Sequence, residues 1–460
     1  MQFDHPNTVL LTKRRRGFCA KNDKLYQLGR EMKLTRKFVT ITLGGALLAA
    51  VTVGSFAIWY VYEPEIEKIA RPDRNSFDPA IVRRGEQLAT VGDCIVCHTS
   101  ENGVPFAGAR PLPTPFGTLY SNNITPDEAT GIGNWSEEAF SRAMKRGVAR
   151  DGSHLYPALP YEHFTHVSKD DLHALYAFLM TRQPVSQLAP ENNLLPGLGF
   201  RPLLAGWKML FLHESEFEAV AGQSDEWNRG RYLVDGLAHC GGCHTPRNLA
   251  GGEERGNEFA GGVAEGWNAP PLNSSNPSAK SWTTQSLYNY LKTGFDRGHG
   301  AAAGPMGPVA EGLSNLNDPD VRSIAVYVSS IMGVDKSKRA DAPELIDNAR
   351  AAADRHPEGA MLFQGACAGC HEPGSAMSQQ GRPALSDLTT LKMDDPTNAA
   401  AALLQGVAAP PGKSSFMPSF AQNMTDKQLA DLLAYVRTRF SNQPDWKNVE
   451  KSVASARSEE

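Results

Sequence analysis

The chain has 460 residues and a formal net charge of −4, and 41% of its residues are hydrophobic. A domain usually takes about 100–200 residues, so this length predicts a globular protein of about three domains. The charge is uneven, because residues 1–37 hold 10 Lys or Arg and 3 Asp or Glu while the remainder is acidic. A basic N-terminal segment followed by an acidic remainder indicates membrane topology. It is not the charge distribution of a nucleic-acid-binding protein, so no nucleic-acid partner is expected.

The basic N-terminal segment is followed by an uncharged, apolar run at residues 38–62. About 20 apolar residues are enough for a helix to span a bilayer, and this run is longer. Basic residues just before the run predict, by the positive-inside rule, a transmembrane anchor with residues 1–37 in the cytoplasm. A cleaved signal peptide is the less favoured alternative, because its apolar core is only about 7–15 residues. Met32 is an alternative start of translation.

One five-residue motif, Cys-x-x-Cys-His, occurs three times, beginning at Cys94, Cys240 and Cys367. In such a segment the two thiols bond a porphyrin and the His binds its iron. A zinc knuckle or a disulfide is the alternative, but neither requires a His directly after the second Cys. Three copies that use six of the seven Cys predict three covalently bound haem c groups. The predicted attachment residues are Cys94, Cys97, Cys240, Cys243, Cys367 and Cys370, and the predicted proximal iron ligands are His98, His244 and His371.

Each motif is framed by similar helical patterns. A short helix containing Gly85, Gly230 or Gly359 leads into it, and residues 168–182, 317–331 and 425–439 close each unit with a helix that begins at a capping Ser, Asn or Thr. Phe178, Tyr327 and Tyr435 stand at the same place in these closing helices, which predicts that the last helix packs across the first.

The predicted fold is therefore all-α, with three tandem class I-like cytochrome c domains behind an N-terminal transmembrane helix. The predicted domains are residues 78–185, 226–335 and 353–442. Residues 186–225 form an apolar connector, which we expect to pack against a neighbouring domain or a partner subunit. Residues 443–460 lack apolar periodicity and are expected to be a disordered tail.

A haem iron that only transfers electrons needs a sixth ligand, and Met is a common one. Met306 and Met417 stand next to Pro ahead of the closing helices of the second and third domains, and they are the predicted sixth ligands. The first domain has Leu159 at the corresponding place, and Leu cannot bind iron. His163 is the favoured sixth ligand of the first haem, and His154, His166 and an open or distant-Met site are the alternatives.

The segments 114–135 and 140–161, together with the Met306 and Met417 loops, carry a family resemblance. Over about residues 78–440 the chain resembles the triheme cytochrome c subunits of bacterial membrane-bound dehydrogenases, which include quinoprotein alcohol dehydrogenase and the flavin-dependent gluconate and fructose dehydrogenases. In this family the position of Leu159 is usually Met. The resemblance implies a dehydrogenase partner that oxidises the substrate, and ubiquinone or a terminal oxidase as acceptor.

Residues 160–164 (PYEHF) look closer to one branch of this family, which serves molybdenum hydroxylases such as nicotinate or aldehyde dehydrogenases. That branch implies partner subunits with molybdopterin and iron–sulfur clusters, and a flavoprotein or quinoprotein partner is the alternative.

The predicted function is an electron-transfer subunit of an oxidoreductase complex in the bacterial inner membrane, with its haem domains in the periplasm. No catalytic residues are predicted, because the chain has no GxSxG or HExxH motif. The acidic pairs at 137–138 and 170–171 are expected at helix starts, where acids favour the helix dipole. The alternatives are a self-contained, peroxidase-like haem enzyme that uses the first haem, and a free-standing cytochrome hub.

Overall fold

A computed structural model describes residues 60–334, 345–375, 384–411 and 416–458, with Met377 and single positions between 42 and 55. The predicted anchor at residues 38–62 lies largely outside these described residues. Among the residues that are described, no helix has both the length and the apolar character needed to cross a membrane. This finding corrects the predicted transmembrane helix, and with it the predicted location in the inner membrane with periplasmic haem domains.

Residues Pro64–Glu460 form one compact unit. Within it, the first segment (residues 78–185) begins at Asp78, whose carboxylate accepts a hydrogen bond from the backbone N–H of Ala80 and caps the first helix. The predicted cap of the closing helix is confirmed, because the Ser168 hydroxyl accepts a hydrogen bond from the backbone N–H of Asp171. The helices of this segment are α1 (Pro79–Val91), α2 (Cys94–Cys97), α3 (Glu137–Arg146), α4 (Tyr161–Phe164) and α5 (Lys169–Met180).

The connector (residues 186–225) folds against both of its neighbours. Its helix α6 (Leu203–Phe211) places Trp207 so that the indole N–H donates to the Ala250 carbonyl at 2.9 Å. On the other side of α6, the buried Lys208 ammonium donates to the Arg146 and Gly147 carbonyls at 2.8 Å each. The connector therefore packs on the neighbouring segments, which is one of the two arrangements expected from the sequence.

The second segment (residues 226–335) repeats this helical plan. Its closing helix is capped by Asn317, whose side chain accepts a hydrogen bond from the backbone N–H of Asp320. A π-helical stretch, Leu233–Leu237, joins the first helix to the motif. The helices are α7 (Asp225–Tyr232), α8 (Gly241–His244), α9 (Thr284–Thr293), α10 (Met306–Ser314) and α11 (Asp318–Ile331).

The third segment (residues 353–442) has a π-helical stretch in the same place, Phe363–Cys367. Thr425 and Gln428 form a capping box at the start of the closing helix. Short 3-10 turns lie at Leu385–Asp387 and Thr389–Leu391. The helices here and beyond are α12 (Ala349–Arg355), α13 (Pro357–Leu362), α14 (Ala368–His371), α15 (Thr397–Gln405), α16 (Asp426–Phe440) and α17 (Val449–Ser458).

The expectation of a disordered tail at residues 443–460 differs from the structure, in which residues 443–458 are described and end in α17. Val453 in this helix is fully buried, and Trp446 just before it is 8% exposed. The Trp446 indole N–H donates to the Met393 carbonyl at 2.9 Å. A few apolar anchors hold this segment, and so few anchors do not produce a visible periodicity in the sequence.

The all-α prediction is wrong, because short antiparallel strands form in the loops of the described residues. The second hairpin turns through Glu265 and Gly266, which both have positive φ, as a tight two-residue turn requires. Strand pairs this short carry no detectable alternation in the sequence. The strands are β1 (Pro111–Thr114), β2 (Gly117–Tyr120) and β3 (Asn193–Leu194) in one sheet, β4 (Gly262–Ala264) with β5 (Trp267–Ala269), and β6 (Phe295–Asp296) with β7 (Gly300–Ala301).

The predicted crossing of the last helix over the first is present in all three segments. At each crossing a glycine of the first helix contacts the backbone and the aromatic residue of the last helix. A Cβ on Gly85, Gly230 or Gly359 would lie 2.7, 2.8 or 2.7 Å from the Cβ of Phe178, Tyr327 or Tyr435 respectively, and even closer to a backbone carbonyl oxygen. Glycine is therefore needed at each of these crossings.

Hydrophobic packing joins the first two segments more closely than their separate motifs suggest. One core includes Leu88 and Phe178 from the first segment and Leu237 and Val321 from the second. A separate core lies in the third segment and includes Phe363. The three motif-bearing segments are thus built on two cores, one of which the first two segments share.

Candidate functional site

Each Cys-x-x-Cys-His motif occupies a single helical turn, at α2, α8 or α14. Residues three and four positions apart lie on the same face of a helix, so the two thiols and the His of each motif can face one group. The six motif cysteines are free thiols, which does not support the disulfide alternative. Among the described residues, no group of three or more His, Cys, Asp or Glu side chains is arranged as a zinc site would be.

The motif histidines of the first two segments are oriented by backbone carbonyls. His98 donates from Nδ1 to the Asn122 carbonyl at 2.6 Å, and His244 donates from Nδ1 to the Pro270 carbonyl at 2.7 Å. A carbonyl can only accept, so the proton is on Nδ1 and the Nε2 lone pair remains for a metal. Burial lowers the pKa of both histidines, which favours the neutral, ligating form.

The first thiol of each motif lies in surroundings that keep it protonated. Burial raises the pKa of Cys94 and of Cys240 to about 12, and it raises the pKa of Cys367 to about 11. A thiol acts as a nucleophile or a redox group mainly as the thiolate, so burial disfavours the reactive form of these three thiols.

A cavity of about 850 Å³ is lined by both the second and the third motif. The two predicted methionine ligands line the same cavity, and most of the remaining lining is apolar, as at Val328 and Leu432. Its motif and methionine residues are Cys240, Cys243, His244 and Met306 from the second segment, and Cys367, Cys370, His371 and Met417 from the third. Paired thiols, an imidazole and a thioether around an apolar space are the donor set and the environment that haem c requires, so these residues fit the group.

The first motif borders the second. Val91 and Asp93, just before Cys94, line the cavity described above. The His239 Nε2 atom is 3.4 Å from the Gly92 carbonyl oxygen. Burial raises the pKa of Cys97 to about 11, and the nearby charge of Cys243 adds to this rise. The three motifs are therefore neighbours within one compact unit.

The candidate sixth ligands of the first site lie in different surroundings. Leu159 packs against the shared core. His154 is buried and its backbone pairs with Val148. The His166 Nδ1 atom is 3.2 Å from the Ser215 hydroxyl oxygen. His163 lies against the second motif and is described below, and its predicted role as an iron ligand stays a prediction.

Sequence reasoning missed several residues that join the lead-in and closing helices. The acidic pairs at 137–138 and 170–171 do lie in the first turns of α3 and α5, as predicted. Asp171 also does more: it is 1% exposed, accepts a hydrogen bond from Arg84 Nε at 2.7 Å and accepts another from the Tyr232 hydroxyl at 2.6 Å. Arg229 makes the equivalent contact with Asp320 at 2.7 Å. The Arg that directly precedes Gly85 and Gly230 in the sequence was the available signal for these ion pairs.

The helix crossings, the motif turns and the carbonyl-held histidines define a c-type cytochrome. Residues 357–439 match the family model described as "Cytochrome c". Among curated proteins, the gluconate 2-dehydrogenase cytochrome c subunit of Pantoea cypripedii is 36% identical over 399 residues, covering 83% of this chain and 90% of the relative. The fructose dehydrogenase cytochrome subunit of Gluconobacter japonicus is 36% identical over 387 residues, covering 78% of this chain and 79% of the relative.

The chain therefore belongs to the family of dehydrogenase cytochrome c subunits, and covalently bound haem c is the cofactor of this family. It is also 43% identical over 420 residues to a nicotinate dehydrogenase subunit of Pseudomonas putida, covering 90% of this chain. The chain spans only 35% of the length of that relative.

Proposed function

We propose that the chain is a triheme electron-transfer subunit that carries electrons from a dehydrogenase to an acceptor, either a quinone or a terminal oxidase. The observation that carries this proposal is the convergence of the three motifs. The second and third motifs line one cavity, and the first motif lies against the second. Closely spaced motifs in one unit suit a relay, because no segment has to move for neighbouring sites to be close to each other.

When bound, haem c supplies reversible one-electron chemistry. The six motif thiols would form its attachments, and His98, His244 and His371 would each provide a nitrogen ligand. Met306 and Met417 line the cavity of the second and third motifs and would provide thioether ligands there. A Met ligand raises the reduction potential of a haem, so these two residues would favour accepting electrons there.

We infer that the partner is a molybdenum hydroxylase with molybdopterin and iron–sulfur subunits. The support is the 43% identity to a nicotinate dehydrogenase subunit. A flavoprotein or quinoprotein partner is the alternative, because relatives at 36% identity are subunits of gluconate and fructose dehydrogenases.

Haem stoichiometry tests the cofactor part of the proposal. The purified protein should contain three haems per chain by the pyridine haemochrome assay, and a Cys→Ala pair in any one motif should remove one of them. Cys19 lies outside the motifs, so Cys19→Ala is the matched control and should retain all three. A wild-type protein with one or two haems would contradict the triheme proposal.

Co-purification tests the partner. Mild purification from the native cell, followed by mass spectrometry and metal analysis, should yield a molybdopterin subunit, an iron–sulfur subunit and stoichiometric molybdenum. A flavoprotein or quinoprotein in their place would retain the electron-transfer function and discard the hydroxylase. A protein that elutes alone and turns over peroxide would refute the electron-transfer function.

A further inference from the structure

The loop that carries a methionine in the second and third segments has no methionine in the first segment, where it contacts the second segment instead. There the corresponding residues, Leu159 to His166, include the short helix α4, which contacts the second segment. The Phe164 ring packs edge-on against the His239 ring with centroids 5.7 Å apart. His239 directly precedes the second motif, so this loop reaches the second attachment turn from outside its own segment.

Both ring nitrogens of His163 are bonded to residues of the second segment. Nδ1 donates to the Asp235 backbone carbonyl at 2.9 Å, and Nε2 is 2.8 Å from Glu253 Oε1. The His163 side chain is 12% exposed and the Glu253 side chain 20%. An imidazole with both nitrogens engaged has no lone pair left for an iron atom in this arrangement.

The second motif is shaped to receive this ring. Its two middle residues are Gly241 and Gly242, whereas the first motif has Ile and Val there and the third has Ala and Gly. A Cβ on Gly241 would lie only 2.8 Å from His163 Cε1, closer than real Cβ atoms approach their neighbours. The His163 ring therefore occupies the space that a side chain at position 241 would need.

Arg247 extends the contact to the next residue of the motif. Arg247 Nη2 donates to the Gly242 carbonyl at 3.0 Å and lies 3.7 Å from Glu253 Oε1. Glu253 thus stands between His163 and Arg247, and this three-residue cluster holds both central residues of the attachment turn.

We propose that His163 is a positioning residue of the second haem site, which acts through Gly241 and Glu253 from the neighbouring segment and does not bind the iron of the first site. This inference rests on the proposed triheme function. The first segment thereby fixes the orientation of the second attachment turn and holds the first and second sites in register.

Potentiometric titration of the holoprotein tests which haem responds to His163. The redox component that belongs to the second haem is identified by its absence from the titration of the Cys240→Ala/Cys243→Ala variant. His163→Ala should shift the midpoint potential of that component while the other two keep theirs, and the first haem should keep its visible spectrum. His173 forms a similar pair with Glu137 at 2.9 Å but its side chain is 40% exposed. His173→Ala is therefore the matched control and should shift none of the three midpoint potentials.

A reciprocal pair of variants tests the contact itself. Gly241→Ala should lower the occupancy of the second haem, and Gly241→Ala/His163→Ala should restore the occupancy, because the obstructing ring is removed, while keeping the shifted potential of His163→Ala. Gly206 in α6 lies outside the motifs and has no atoms within 4 Å of its Cβ position, so Gly206→Ala should leave the second haem unchanged. The shift in potential that remains in the double variant separates a positioning role of His163 from simple packing.

Two results would overturn the inference. Conversion of the first haem to a high-spin spectrum in His163→Ala would make His163 an iron ligand of the first site. An unchanged second component together with an unrescued Gly241→Ala would remove the positioning role. Fewer than three haems in the wild-type protein would instead be a failure of the proposed function, and the haem assay detects that separately.

Discussion

Gly230→Ala tests the helix crossing on which each segment depends. The new Cβ would lie 2.8 Å from Tyr327 Cβ and still closer to the Ser323 carbonyl oxygen of α11. Overpacking of this kind costs about 1–3 kcal/mol, and a backbone obstacle places the cost near the upper end because it cannot rotate away. Alanine regains up to about 1 kcal/mol through its higher helix propensity. The expected net loss is about 2 kcal/mol of unfolding free energy.

The matched control for this variant is Gly206→Ala in α6. Gly206 also lies within a helix, but no atom lies within 4 Å of its Cβ position, so the substitution should stabilise the protein by about 0.5–1 kcal/mol. Guanidinium chloride denaturation, followed by far-ultraviolet circular dichroism, gives both values. Equal midpoints for Gly230→Ala and Gly206→Ala would refute the assignment of a tight crossing at Gly230.

Three further predictions concern stability. Trp446→Ala should cost about 3 kcal/mol in the same assay, because this indole is 8% exposed and anchors the C-terminal helix; a loss near zero would mean that α17 is dispensable. Arg439 is 2% exposed and pairs with two carboxylates, so Arg439→Met should cost about 3 kcal/mol. The exposed Lys427 is its control, since Lys427→Met should change stability by less than about 0.5 kcal/mol. Burial raises the pKa of Asp296, but hydrogen bonds from His299 and the Gly298 N–H outweigh it and hold the pKa below its ordinary value. The wild type should therefore be more stable than Asp296→Asn above the ordinary carboxyl pKa of 3.8, and this difference should disappear as the pH falls through the lowered native pKa. Urea denaturation at a series of acidic pH values measures the difference. A difference that does not change with pH would contradict the prediction.

Local signals in the sequence predicted the parts of the fold that are locally determined. A hydroxyl or amide at Ser168, Asn317 and Thr425 caps the closing helices as expected, because capping depends on residues only three positions apart. The aromatic residue shared by these helices was a sound guide to the crossings, since the helical period fixes which residues face the first helix.

Contacts between distant residues could not be predicted in the same way. Glu253 is 90 positions from His163 in the chain, and nothing at either position signals the pair. His163, four residues after Leu159, was favoured as an iron ligand from its position in the chain, and the contact of its ring with Gly241 could not be predicted from that position. Strands of two to four residues and the anchored C-terminal helix depend equally on partners elsewhere in the chain.

The cavity shared by the second and third motifs has a consequence for stability. Val328 and Leu432 belong to different segments and to different cores, yet both line this space. A group bound there stabilises whatever it contacts, so loading either site strengthens the walls of the other. We therefore expect a chain that lacks the haem of one of these two sites to unfold more readily in the segment that carries the other.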